Sequence, residues 1–477
     1  MDSDRIAIYL ETRDPNIKTL GPGWCRDDGY IIGVAIAAGD FVGYYPIRHE
    51  SGEKFSEKKV FNWLKKQLET PDIEKVMHNA MYDLGWLRWA GIEVQGPIID
   101  TMIAAPLLNE NRMYYNLDSL AREYLGERKD EKILKAAANA FGVDPKGGMW
   151  RLPAHFVGPY AEQDAAVTLR LWDRLRADLI KDECTGIFDL ESNLMPVLLD
   201  MKTRGVRVDI DKAEQVQKEL KKREDVLLAE IKDLTQVNVE PWVATSIAKA
   251  FDAVGLTYER TQNTDAPSFT KQFLANHEHP LAQKIVRLRE FNKANTTFIE
   301  TILEHSHNGR IHCDFNPLRS DEGGTVTGRF SSSNPNLQQI PARDPEIKAM
   351  IRGLFIPEEG CKWGSFDYAS QEPRWLAHYC STLKGANRHP QIDDVVKMYN
   401  EGEADFHQMV ADIAKIPRKS AKTINLGIMY GIGQTRLAEQ LDVSAARWLT
   451  IWRLCVFLCF FFFKQKTAYE VVDCDWS

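Results

Sequence analysis

The amino-terminal stretch alternates in polarity with a period of two. Ile6, Ile8 and Leu10 interleave with Ala7, Tyr9 and Glu11, which predicts a strand over residues 5–12 and sets positions 9 and 11 on one of its faces. Residues 29–38 and 40–47 read as two further strands, and residues 56–69 carry the apolar period of a helix. This alternation of strand and helix continues to about Asp182 and is the grammar of an α/β domain. From Phe188 to about His307 the pattern is long and helical, and residues 213–235, rich in Lys, Glu and Leu, read as a solvated helical face. A third segment opens near Arg310 with strand-like residues 311–315, passes through a loop rich in Gly, Ser and Asn, and runs in mixed structure to about Ala445. Residues 447–477 break the pattern: the apolar run 454–463 has no amphipathic period and is far shorter than the ~18 residues of a membrane helix.

Composition narrows the class without changing this layout. A chain of 477 residues suggests about three domains. Its 44% hydrophobic and 27% charged residues, with a mean hydropathy of −0.36, exclude disordered and collagen-like chains. The net charge of −8 argues mildly against non-specific coating of nucleic acid but leaves room for a local basic cleft. Eight cysteines form neither a disulfide framework nor a zinc pattern and read as free thiols. The acidic start Met1-Asp2-Ser3-Asp4 is unlike a signal peptide, so an intracellular, cytoplasmic protein with no membrane partner is expected. Three of the cysteines and the run Phe460 to Phe463 fall in the 447–477 tail, which reads as non-native sequence from readthrough or a frameshift.

Chemistry enters at three places in the first segment. Glu11 lies on the predicted strand, Asn79-Ala-Met-Tyr-Asp83 opens a predicted helix, and Tyr160-Ala-Glu-Gln-Asp164 begins another, with Tyr160 and Asp164 one turn apart on one face. Alone, Asp83 and Asp164 are ordinary helix-start residues favoured by the dipole. Together and in order, the strand Glu, the NxxxD and the YxxxD resemble the DEDD-type 3′–5′ exonucleases in their YxxxD form. That resemblance implies an RNase H-like fold, metal ligation by Glu11, Asp83 and Asp164, orientation of the attacking water by Tyr160, and two Mg²⁺ ions. The family pattern is Asp-x-Glu, however, and here Tyr9 stands at the Asp position. A neutral phenol is a poor ligand for Mg²⁺ and its ring takes up the ion's volume, so exonuclease activity is expected to be severely reduced. One base change converts an Asp codon to a Tyr codon.

The third segment carries a loop with Arg329, Asn336 and Gln338, a carboxylate Asp367 after an apolar strand end at 363–366, Glu372, and the run Arg418-Lys-Ser-Ala-Lys422-Thr-Ile-Asn-Leu426-Gly-Ile-Met-Tyr430. Steps of four place Arg418, Lys422, Leu426 and Tyr430 in one row on a helix, charge for phosphates followed by flat surface for a base. Two cations at a helix start also oppose the dipole and want an anion beside them. These stretches resemble the motifs of family A DNA polymerases, and residues 5–445 resemble the phage branch of that family. The resemblance implies that Arg329, Asn336 and Gln338 contact DNA, that Asp367 binds both catalytic metals, and that Glu372 excludes a ribose 2′-hydroxyl. It further implies that His407, Arg418 and Lys422 hold the triphosphate and that Tyr430 stacks beside the nascent pair. Leu426 stands where Phe or Tyr is usual, which suggests altered tolerance of dideoxynucleotides.

The family's later His-Asp-Glu motif, source of the second palm carboxylate, is nowhere in the chain. The expectation is thus a C-terminally truncated family A polymerase: an α/β exonuclease domain at 1–185, a helical thumb region at 186–309, partial α+β palm and fingers at 310–446, and the tail 447–477. Primer-template DNA and dNTPs are the implied partners, with both Mg²⁺ sites incomplete and no replisome partner legible. The rival expectations are a free-standing DEDD exonuclease and a non-catalytic DNA-binding fragment.

Overall fold

A computed structural model describes residues 3–385, 388, 392–402 and 405–432, in two compact units divided between Trp363 and Gly364. In the first unit five strands form one sheet in the order β3-β2-β1-β4-β5. These are β1 (Arg5–Arg13), β2 (Tyr30–Ala38), β3 (Phe41–Pro46), β4 (Glu74–Met77) and β5 (Ile98–Asp100). β1 runs antiparallel to β2 and parallel to β4, which makes it the central strand. β2 reads as a continuous apolar run because residues 31–38 are all buried. The Glu57–Leu68 helix lies where its period predicts and buries Val60, Leu64 and Leu68 on one stripe.

The long helix Ala154–Lys181 packs across β1, β2 and β3, burying Ala161 and Ala165 beside Val157 and Leu171. The sequence placed a helix start at Tyr160, but the helix begins at Ala154 behind Pro153, so Asp164 sits well inside it. Its carboxylate is therefore not a helix-start residue; Asp83, in the first turn of Ala80–Trp89, is one.

Beyond Arg204 the first unit has long helices joined by short strands and irregular chain. Asp209 caps Ile210–Thr235 through Lys212 N (3.0 Å), and this helix buries only Ala213, Leu220, Ile231 and Thr235, as a largely solvated face should. Two small cores flank it. One joins Leu220, Phe291, Ile299 and Ile351; the other joins Ile231, Phe251, Leu281 and Ile285. The strand expected at 311–315 is split: Arg310–Ile311 pairs with Val206–Arg207, and Asp314–Asn316 pairs with Ser331–Ser333. The strand end expected at 363–366 is absent, and residues 358–369 are exposed and irregular. Strand propensity needs a partner to pair with, and this segment pairs with none of the described strands.

The second unit is helical where described: Gln371–Thr382, Ile392–Asn400, Phe406–Ala414 and Arg418–Met429. Ala377, Cys380, Ile392 and Tyr399 form one small core. The last two helices pack together, with Val410 and Ala411 buried on one and Ala421 and Ile424 on the other. Among the described residues five cysteines are free thiols and no helix is long and apolar enough to cross a membrane. The tail at 447–477 lies outside the described residues.

Candidate functional site

The sheet and the long helix bring the first segment's candidates into one buried cluster. Glu11, Asp83, Tyr160 and Asp164 are all buried, Asp164 completely. β1 contributes Tyr9 and Glu11 from the same face, as the alternation requires. Asp83 is stitched to the strand by accepting Leu10 N–H at Oδ1 (2.9 Å). Glu11 pairs in register with Gly33, where a Cβ would collide with the Tyr44 hydroxyl. Tyr44 in turn bonds His49 Nε2 (2.7 Å), whose Nδ1 lies 2.8 Å from Leu152 O. With that carbonyl fixing the proton on Nδ1, the Tyr44 hydroxyl is the donor to His49.

Burial dominates the electrostatics. Glu11 is raised from its ordinary 4.5 to about 8 by desolvation, then by the Asp164 and Asp83 charges, against Lys129. Desolvation also pushes Asp83 well above the carboxylate range, and it raises Asp164 despite the opposing pull of Lys129. Tyr9 lies in the same field: burial and then Asp164, Tyr160, Glu11 and Asp83 drive its phenol well above 10, so it is neutral. The Lys129 ammonium sits 2.6 Å from the Asp164 carboxylate and 3.1 Å from the Tyr160 hydroxyl, over the Tyr160 ring at 4.5 Å. Sequence reasoning missed Lys129, since the run Glu127-Arg-Lys-Asp-Glu-Lys132 looks like any solvated charged loop. Asp100 has a purely structural role, capping Thr101–Leu108 and accepting Asn79 N (2.9 Å) and Ala80 N (2.8 Å).

The later candidates divide between the two units. In the first, Arg329 is exposed, Asn336 caps its own turn by accepting Gln338 N (3.0 Å), and Gln338 Nε2 donates to Phe330 O (3.2 Å). Both amides therefore help to fold the loop they were expected to present. In the second unit Asp367 is exposed in irregular chain, Glu372 lies in the first turn of Gln371–Thr382, and His407 is buried against Asn425 (3.0 Å). Burial lowers the His407 pKa, with Asp405 opposing and Arg418 and Lys422 reinforcing. On Arg418–Met429 the inner face buries Ala421, Ile424 and Asn425, which turns Arg418, Lys422 and Tyr430 outward with Leu426 half-buried. The anion that the dipole argument asks for is in the chain itself: Asp405 accepts Arg418 Nε at 2.9 Å.

Residues 25–180 match the 3′–5′ exonuclease family and residues 210–450 match DNA polymerase family A, half of the chain. A DNA-directed DNA polymerase of Pseudomonas phage M6 is 38% identical over 457 residues, spanning 92% of this chain and 68% of that protein. The chain belongs to family A of the DNA polymerases. As a family A member it combines a DNA-directed DNA polymerase with a 3′–5′ exonuclease domain. The DNA polymerase DpoZ of Vibrio phage phiVC8 is 31% identical, over 90% of this chain and 70% of its own length. A solved structure titled the POL domain of Pol1 from M. smegmatis in complex with DNA primer-template and dNTP has the same fold, with a TM-score of 0.73 at 21% identity over 97% of this chain and 73% of that one.

Family A polymerase and exonuclease domains generally use divalent metals. The exonuclease cluster does not fit a pair of them as it is folded. Glu11 Oε1 is buried without a hydrogen-bond donor, as a metal-facing oxygen would be. Yet an ammonium lies against Asp164, the Tyr9 phenol sits in the carboxylates' field, and no three acidic, His or Cys side chains among the described residues converge as a metal set. Around Asp367 the described residues likewise hold no group of three such side chains.

Proposed function

We propose that this family A chain grips primer-template DNA and a dNTP in the host cytoplasm while its exonuclease is strongly attenuated by Tyr9. The single observation that carries the nucleotide part is the outward row Arg418, Lys422, Leu426, Tyr430 over the buried Ala421, Ile424 and Asn425. Two cations a turn apart suit a triphosphate, and the half-buried Leu426 and exposed Tyr430 offer an apolar wall and a ring for the sugar and base. His407, held by Asn425, adds a neutral donor beside that row, and Glu372 is the gate against a ribose 2′-hydroxyl. Arg329, Asn336 and Gln338 contact the duplex. Asp367 is the palm carboxylate, and Mg²⁺ is the divalent ion of both domains. The working division is exonuclease at 1–185, thumb at 186–309 and palm with fingers at 310–446. These 477 residues hold one palm carboxylate and no His-Asp-Glu, and by themselves they bind a primer terminus without extending it.

Two assays decide between this reading and its rivals. Primer extension by the chain should be absent while primer-template binding persists and weakens with salt; robust extension, or no binding, would overturn it. Digestion of single-stranded DNA with Mg²⁺ should rise by about tenfold or more in Tyr9→Asp, the order expected for restoring a metal ligand. Equal digestion by both chains would remove the role of Tyr9.

A further inference from the structure

The acidic cluster already holds a cation, and it is covalently part of the chain. The Lys129 side chain is 8% exposed, and its ammonium touches the fully buried Asp164 at 2.6 Å and the Tyr160 hydroxyl at 3.1 Å. The loop that delivers it is anchored to the same helix that bears Tyr160 and Asp164. Arg170 grips Glu127 with two bonds (3.0 and 2.5 Å), Asp130 N donates to Gln163 Oε1 (2.9 Å), and Gln163 Nε2 donates back to Arg128 O (3.4 Å). Lys129 N adds a bond to Asp118 Oδ1 (3.3 Å). A long, entropy-rich side chain is thus fixed on both flanks and aimed inward, which a merely solvated lysine would not be.

We propose that Lys129 is the resident counter-ion of the exonuclease cluster: its ammonium takes the cation position on Asp164, competes with divalent ions for that carboxylate, and lets the domain fold and stay charge-compensated without metal. Ionisation of Asp164 is disfavoured by burial, and a fixed positive charge at contact distance offsets this with no ion drawn from solvent. The Tyr9 phenol completes the change by adding a neutral group where the family has a further carboxylate. Lys129 is a positioning residue here, acting through Asp164. The inference rests on the exonuclease assignment only for the identity of the ion displaced, and its test reads metal binding and stability rather than cleavage.

The experiment measures Mn²⁺ binding by electron paramagnetic resonance, and thermal unfolding in EDTA against millimolar Mg²⁺, using the 477-residue chain with Asp367→Asn to silence the palm. The parent should bind Mn²⁺ weakly and unfold alike in both buffers. Lys129→Met should bind Mn²⁺ at least about tenfold more tightly, since a like charge has left contact distance, and become more stable in Mg²⁺ than in EDTA; Lys129→Arg should behave as the parent. Tight Mn²⁺ binding by the parent that Asp164→Asn abolishes would overturn the proposal. So would unchanged or weaker binding in Lys129→Met, including a Lys129→Met chain that Mn²⁺ cannot restore to the folded state. An unchanged nuclease in Tyr9→Asp, by contrast, would bear only on the activity assignment.

Discussion

The buried cluster of the first unit and the outward row of the second are opposite ways to arrange charge. The cluster gathers Tyr9, Glu11, Asp83, Lys129, Tyr160 and Asp164 from distant parts of the chain against one sheet and buries the three carboxylates and Tyr160. The row is built by one helix from steps of four, and its ion pair of Arg418 with Asp405 is about half exposed on each side. In the first, low dielectric makes every charge depend on its neighbours; in the second, water screens each charge and leaves it available to a ligand. Burial serves preorganisation and exposure serves capture.

The largest test of that contrast is to break one ion pair in each region. Lys129→Met should cost about 3–5 kcal/mol in EDTA because it strands a buried carboxylate, whereas Asp405→Asn should cost no more than about 1 kcal/mol. Chemical denaturation of the two variants checks this, and equal losses would erase the distinction. Next comes pH. Because the folded Glu11 value of about 8 lies above its ordinary 4.5, the folded chain keeps a proton that the unfolded chain releases. Its contribution is complete below pH 4.5 and is lost as pH rises through 8, a slope of roughly a few kcal/mol in total to which Asp83 and Asp164 add with the same sign. Unfolding of the first unit in EDTA across this window should show the fall, and Glu11→Gln should flatten it in part.

Smaller effects belong to the exposed row. Lys422→Ala should weaken dNTP binding about tenfold, near 1.4 kcal/mol for one lost charge-assisted contact, with no change in unfolding midpoint; titration of a fluorescent dNTP reads it. Leu426→Phe should change least, shifting the dideoxynucleotide-to-dNTP binding ratio by about twofold to fivefold through one added ring contact. A ratio unmoved by that ring would remove Leu426 from sugar discrimination.

How much of this was legible in the sequence follows from locality. The alternation through Ile6, Ile8 and Leu10 located β1 and the face shared by Tyr9 and Glu11, and residues 210–235 fold as the charged helix that their spacing predicts. The Arg418 to Tyr430 row likewise needed only the helical repeat. The start of the long helix at Ala154 was less legible, because the internal Pro159 masks continuity and packing on β1 to β3 overrides it. The strand end at 363–366 failed for the opposite reason, having apolar residues but no pairing partner among the described strands.

The sequence by itself determined periodicity, the candidate carboxylates, the Tyr9 departure and the family resemblance, because each is a matter of residue type at a fixed spacing. Only the tertiary structure decided that Asp164 lies deep inside a helix, that Asn336 and Gln338 bond within their own loop, and that Lys129 leaves a charged run to lie on Asp164. Those outcomes depend on burial and on which distant group arrives at contact distance. Dielectric and proximity are properties of the folded chain, and no local pattern encodes them.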